Sequence, residues 1–262
     1  MKVAAIQHDI VWENPDATRA EVAPMIDEAA AQGARLVVLP EMFATGFSMR
    51  PERVAEDEGG ATEQFLLDHA ARHDLTMIAS IAQRGSDGAF RNNAVVAHPN
   101  GETQRYAKIH PFSYAGEHER YAPGDRHLTV DIDGLRVSVF VCYDLRFADE
   151  FWPLAGDTDL YVVPANWPAA RHEHWRLLLR ARAVENQAYV IGVNRVGQAG
   201  DLPHAGGSAI VDPLGTVLFE GDDAARVLLA DVDPQMVRDV RTNFPFLADR
   251  RAWADTHTSR PY

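Results

Sequence analysis

Short apolar runs alternate with amphipathic stretches along the first third of the chain. "KVAAIQ", "RLVVLP" and "LTMIASIA" are almost continuously apolar over the length of a strand, as strands buried on both faces are. Between them, "NPDATRAEVAPMIDEAAAQG" and "ATEQFLLDHAARHD" read as helices. Asn14 is placed to cap the first, Pro15 to occupy its first turn and Gly33 to stop it, while Pro24 interrupts its regularity. The result is a β-α-β-α-β rhythm. Beyond it the pattern changes. "AFRNNAVVAHPNGETQRYAKI" holds Asn100-Gly101 between two strand-like runs, and "LTVDIDGLRVSVFV" repeats the device with Asp133-Gly134, so both predict β-hairpins.

Further on come a helix near "FADEFWPLAG", a strand "DLYVVPAN", a long helix "HEHWRLLLRARAVENQ" and a strand "AYVIGVN". Two strands flank Pro213-Leu214-Gly215, followed by "ARVLLADVD" and a last helix near "PQMVRDVRTN". About a dozen strands with four or five helices is an α/β mixture, and the hairpins are too many for a purely parallel doubly wound sheet. Two packed sheets covered by helices is the expected architecture. No Pro/Gly/Ser-rich stretch or block of like charge marks a boundary, so residues 1–242 are read as one domain and 243–262 as a tail. Phe244, Phe246, Trp253 and Tyr262 make that tail an apolar liability if left uncovered, which predicts a role in a homodimer or higher homo-oligomer.

Composition narrows the partners. With 38 acidic against 25 basic residues the formal charge is −13, which argues against nucleic acid and against an anionic membrane surface. The expected partner is a small molecule. "MKVAAIQHDI" has no apolar core of signal-peptide length and no run is long enough to span a bilayer, so a cytoplasmic location is expected. The single cysteine, Cys142, excludes an intramolecular disulfide and fits a reducing compartment.

Ligands of open α/β folds collect beyond the carboxyl ends of strands. Glu41 ends "LVVLPE", Lys108 ends "QRYAK", Cys142 ends "VSVFVC" and Asn166 ends "LYVVPAN". A thiol attacks only as thiolate and needs a neighbouring base or cation. A carboxylate can take its proton and return it to a leaving amine, and a fixed ammonium can balance the charge of a tetrahedral oxyanion, helped by the backbone N–H of Tyr143. Glu41, Lys108 and Cys142 are therefore a complete amide-cleaving set that calls for no metal and no cofactor. Blander readings stand beside it: a buried small hydrophobe for Cys142, a cap partner for Glu41, a solvated edge charge for Lys108.

The stretches "VVLPEMFATGF", "YAKIHPF" and "VFVCYDLRF" resemble, in order and separation, the Glu, Lys and Cys motifs of the nitrilase, or carbon-nitrogen hydrolase, superfamily. The likeness continues through "PANWPAARHEHWRLLLRARAVENQAYVIGVNRVG" and "GGSAIVDPLG" and covers nearly the whole chain. Within the superfamily, "CYDLRF", "ANWP" and "FPFLADR" are most similar to the bacterial ω-amidases, which deaminate 2-oxoglutaramate and 2-oxosuccinamate. The resemblance implies an α-β-β-α sandwich dimerising face to face, with Glu41 as general base, Lys108 as oxyanion stabiliser and Cys142 as nucleophile. It also implies a second pocket glutamate, Glu117, for which Glu119 competes. N-carbamoyl amino acids and aliphatic amides are alternative substrates, and a non-catalytic binding protein of the same fold is a further reading.

Tyr143, Arg146, Asn166 and Trp167 are candidates to line the substrate pocket. Arg146 either pairs with Asp144 to hold the turn or grips a substrate carboxylate; Trp167 either faces the pocket or packs the core. His172 and His174 lie at i, i+2 on different helix faces, so no metal site is expected from them or from any other residue set, and His174 with Trp175 is assigned to helix packing. "GGATEQ" and "HAGGS" lack a phosphate-cradle pattern, and "EDEGG" reads as a solvated loop.

Overall fold

The computed structural model describes residues 1–251. In chain order the elements of the first half are β1 (Lys2–Gln7), α1 (Pro15–Ala31), β2 (Leu36–Val38), α2 (Pro51–Val54), β3 (Glu56–Asp57), α3 (Ala61–His73), β4 (Thr76–Arg84), β5 (Phe90–Ala97) and β6 (Thr103–Ala107). The second half adds β7 (Leu128–Ile132), β8 (Leu135–Val139), α4 (Ala148–Phe151), β9 (Leu160–Ala165), α5 (His172–Asn186) and β10 (Tyr189–Asn194). It ends with β11 (Val196–Ala199), β12 (Leu202–Ala205), β13 (Ala209–Val211), β14 (Val217–Glu220), β15 (Arg226–Asp231) and α6 (Pro234–Asn243).

These form the expected α-β-β-α sandwich. One mixed sheet runs β15-β1-β2-β4-β5-β6, with β3 paired to β4; the other runs β14-β13-β10-β9-β8-β7. Strand alternation explains the layering. Val3 and Ala5 of β1 join the core between the sheets with Val38, Ile78, Val137 and Val139. Ala4 and Ile6 of the same strand point the other way, onto Val22 and Ile26 of α1 and Leu66 and Ala70 of α3. Both faces of the strand are buried, which is why its sequence reads as an unbroken apolar run. On the far side α5 lies so close to β10 that a Cβ at Gly192 would meet Leu179 at 2.5 Å and Trp175 at 2.7 Å. The Trp175 indole donates to the Gly207 carbonyl across 2.7 Å.

Local signals are realised in detail. Asn14 caps α1 by accepting from the Ala17 amide at 3.2 Å, and Asp133 and Gly134, at φ 51° and 79°, make the tight turn between β7 and β8. The helix α1 runs through Pro24 to Ala31, as the helix reading of the whole stretch requires. One expectation needs correction. "EDEGG" is not simply a solvated loop: Glu56 and Asp57 form β3, and Glu56 accepts from the Thr62 backbone at 2.7 Å, capping the start of α3. The hairpin β11–β12 also went unanticipated, because Gly200-Asp201 separates two weakly apolar runs. Phe244 and Phe246 of the tail are exposed; Trp253 and Tyr262 lie outside the described residues. Among those residues no helix is long and apolar enough to cross a membrane.

Candidate active site

Strands from both sheets deliver the candidate residues to one place. Glu41 follows β2 and Lys108 follows β6 of the first sheet; Cys142 follows β8 and Asn166 follows β9 of the second. Cys142 opens a tight helical turn, Cys142–Arg146, and adopts a left-handed φ of 45°. A side chain with a Cβ takes that conformation at a cost of order 1–3 kcal/mol and holds it only where the surroundings enforce it. Here Asp144 does the enforcing. Its carboxylate accepts from the Val141 amide at 3.0 Å, the His110 amide at 2.8 Å and the Tyr106 hydroxyl at 2.9 Å. Burial pushes its pKa up to about 6, against these three donors and the Lys108 charge.

Asp144 therefore makes no ion pair with Arg146, which corrects that reading. Arg146 instead lies over the Trp167 ring at 4.9 Å and reaches His174 at 3.1 Å. His174 is exposed and does not pack the helix, whereas Trp175 is fully buried.

Lys108 is buried between two carboxylates, with Nζ 2.8 Å from Glu41 Oε1 and 2.8 Å from Glu117 Oε2. Burial opposes its charge, but Glu117 and Glu41 outweigh that and hold the ammonium pKa well above its usual value. Glu119 is exposed and takes no part. Asn92 donates to both glutamates, at 2.7 Å to Glu41 and 3.0 Å to Glu117, while its own oxygen accepts from Ser80. The backbone amide of Asn166 closes the set on Glu41 Oε2 at 2.9 Å. Every charge in the cluster is thus paired, as burial requires. Cys142 faces the Glu41 carboxylate and the Asn166 amide; burial first, and the Glu41 charge second, push its thiol pKa well up despite Lys108. The sulfur accordingly rests as thiol beside a ready proton acceptor.

Above Cys142 opens a cavity of about 250 Å³. Tyr143, Arg146, Asn166 and Trp167 all line it, as expected from the sequence; Trp167 also packs on Trp175, so its two readings both hold. Glu41, Lys108 and Glu117 are fully buried, while Cys142 reaches the cavity wall. Phe47, Phe112, Arg171 and His204 join the wall without having been singled out. Trp12 does so too, and its ring presses on Gly46, where φ is +74° and a Cβ would meet it at 2.8 Å. Asn92 also went unsingled, although two consecutive Asn inside an apolar strand were a visible signal of a buried polar network.

Buried histidines nearby carry a pH consequence. Burial, chiefly, lowers His8 from 6.5 to about 4. A depressed folded-state pKa gives stability that is present above 6.5 and lost as pH falls through 4, because the unfolded chain takes up the proton first. His8→Gln should flatten the stability curve across that window by about 3 kcal/mol. Urea unfolding at pH 4, 5, 6 and 7 checks this, and parallel wild-type and variant curves would refute it.

The expectation that no residue set has metal-ligand spacing needs correction. His69 and His73 stand at i, i+4 on α3 and, with Asp27 of α1, place three ligand atoms within 4.8 Å of one another. The i, i+4 spacing is legible in "HAARH".

Comparison with known proteins follows the same lines. A family profile described as carbon-nitrogen hydrolase matches residues 2–242. The chain is 37% identical to the "Omega-amidase YafV" of Yersinia enterocolitica, over 95% of this chain and 96% of that protein. It is 31% identical to the "2-oxoglutaramate amidase" of Bacillus subtilis, over 95% and 97%. A CN-hydrolase superfamily protein from Xanthomonas campestris, solved with an arsenic adduct in its active site, superposes with a TM-score of 0.92 at 34% identity, covering 97% of this chain and 98% of that one.

Proposed function

The chain belongs to the carbon-nitrogen hydrolase family and is a hydrolase acting on amides, and we propose that its substrate is a small 2-oxo acid monoamide such as 2-oxoglutaramate or 2-oxosuccinamate. The observation that carries the reading is the buried contact of Lys108 with Glu41 and Glu117 beside Cys142, under a small cavity whose wall holds Arg146 and Arg171. The relatives named for ω-amidase and 2-oxoglutaramate amidase activity support the substrate class.

In this reading Glu41 accepts the thiol proton as Cys142 Sγ adds to the carboxamide carbon. The oxygen becomes an oxyanion facing the Lys108 ammonium and the Tyr143 amide. Collapse breaks the C–N bond, and ammonia leaves with the proton from Glu41. Water then attacks the thioester, giving Glu41 a proton that returns to sulfur as the C–S bond breaks and the carboxylate product forms. Glu117 stays paired with Lys108 and Asn92 and holds the ammonium in place.

Specificity follows from the far end of the substrate. Glutamine and 2-oxoglutaramate share the carboxamide, but glutamine carries an ammonium. Arg146 and Arg171, seated over Trp167 and Phe112, favour the substrate carboxylate and repel a further cation in a poorly solvated cavity. The oxo acid should therefore be cleaved far better, by at least about a hundredfold in kcat/KM, the discrimination expected when a charge must be buried unpaired. Ammonia release across 2-oxoglutaramate, glutamine, asparagine, N-carbamoyl amino acids and propionamide is the test. Equal values for glutamine and its oxo analogue would overturn the substrate assignment, and preference for a carbamoyl compound would transfer it there.

A further inference from the structure

The His/Asp cluster on the helical layer has no part in the chemistry above. Asp27 comes from α1, and His69 and His73 from successive turns of α3, so the three tie together two helices that cover the outer face of the first sheet. His73 Nε2 lies 2.8 Å from Asp27 Oδ1 and His69 Nδ1 lies 3.8 Å from the same oxygen. A tetrahedral zinc ion with bonds near 2.0–2.1 Å holds its ligands about 3.3 Å apart, so the two observed separations straddle the requirement. All three ligand atoms lie within 4.8 Å of one another, so closing them onto one ion requires the side chains to move.

The second observation concerns His69. Its side chain is about nineteen-twentieths buried, with 5% of its surface exposed, and its Nδ1 is buried with no hydrogen-bond partner among the described residues. A buried imidazole nitrogen left without a partner loses hydration for nothing in return. Here it points toward an acidic oxygen at a distance too long for a hydrogen bond and suited to a shared ion. Arg72 opposes a cation and Asp68 favours one, leaving Asp27 as the net local charge.

We propose that Asp27, His69 and His73 form a zinc-binding site that pins α1 to α3 on the outside of the sandwich, apart from the hydrolytic centre. Two imidazoles and one carboxylate select zinc-class ions over magnesium or calcium, which prefer all-oxygen shells. Binding breaks the His73–Asp27 hydrogen bond: the His73 proton moves to Nδ1, Nε2 turns its lone pair to the metal, and water completes the coordination. The site is structural and leaves amide hydrolysis unchanged.

The experiment uses the full chain carrying Cys142→Ala, so that the thiol takes no metal, and titrates it with zinc chloride by calorimetry. One zinc per chain should bind, and a hundredfold excess over Kd should raise Tm by about 5 °C. Replacing zinc with cobalt should give the visible absorption bands of a low-symmetry nitrogen–oxygen site, and magnesium should give neither signal. Asp27→Asn, which changes a half-exposed side chain, and His73→Gln should each weaken zinc binding by at least about tenfold. The same two substitutions in the Cys142-containing chain should leave ammonia release at the wild-type rate, which also shows that they fold. No binding at millimolar zinc, or equal binding in parent and variants, overturns the proposal.

Discussion

Cys142→Ala should abolish amide hydrolysis, lowering kcat by about 10⁵–10⁶, while the far-ultraviolet spectrum and Tm stay near wild type. The scale is that of removing the nucleophile from a covalent hydrolase, where the remaining groups have nothing to activate. Stability should hold because alanine removes one buried sulfur and keeps the Cβ. The strained φ of 45° at this position is imposed by Asp144 and the turn, not by the thiol. Ammonia release measured on the substrate cleaved best by wild type is the readout. Activity within tenfold of wild type would remove Cys142 from the chemistry and with it the thioester route. Mass spectrometry of wild type quenched during turnover should show the acyl group on Cys142 and none in the variant.

Lys108→Met should fail differently, in stability as well as rate. Removing one oxyanion donor costs about 10²–10³ in kcat; in the proposed mechanism Lys108 is such a donor and carries full charge, so the loss should be at least that large. The variant also leaves Glu41 and Glu117 buried side by side on Asn92 with no cation. Breaking a buried ion pair from one side costs about 3–5 kcal/mol. Lys108→Met/Glu117→Gln separates the two effects, because it removes one surplus charge: stability should recover most of that loss while kcat stays low. Urea denaturation alongside steady-state kinetics gives both numbers. A loss confined to KM would place Lys108 in ground-state binding, and an unchanged unfolding free energy would show that the carboxylates do not depend on it.

The parts legible in the sequence were those written in local pattern. The βαβ rhythm, the two Gly-containing hairpins and the apolar strands of double-faced burial are short-range features, and each is found where expected. Glu41, Lys108, Cys142 and Asn166 were visible because each interrupts the end of an apolar run, where a polar residue must leave the core. What escaped depended on partners far away in the chain. Asp144 pairs with the Val141 and His110 amides and with Tyr106 rather than with Arg146, because a residue two positions away points off in another direction. Arg171 reaches the cavity from the short helical turn before α5 and His204 from the short strand β12, neither of which carries a clear apolar periodicity. Asp27 meets His69 and His73 only because α1 lies against α3.

The chain order of the sandwich has a consequence for its biosynthesis. Glu41, Lys108 and Glu117 belong to the half made first, and Cys142 and Asn166 to the half that follows. β1 lies between β2 and β15, and β15 is made only near residue 231. A nascent chain therefore carries Glu41, Lys108 and Glu117 well before Cys142 is made, and the first sheet lacks its β15 edge strand until almost the whole polypeptide has been synthesised. A product that stops before residue 142 has no thiol to bring to the other three, and one that stops before residue 226 leaves β1 as an unpaired sheet edge.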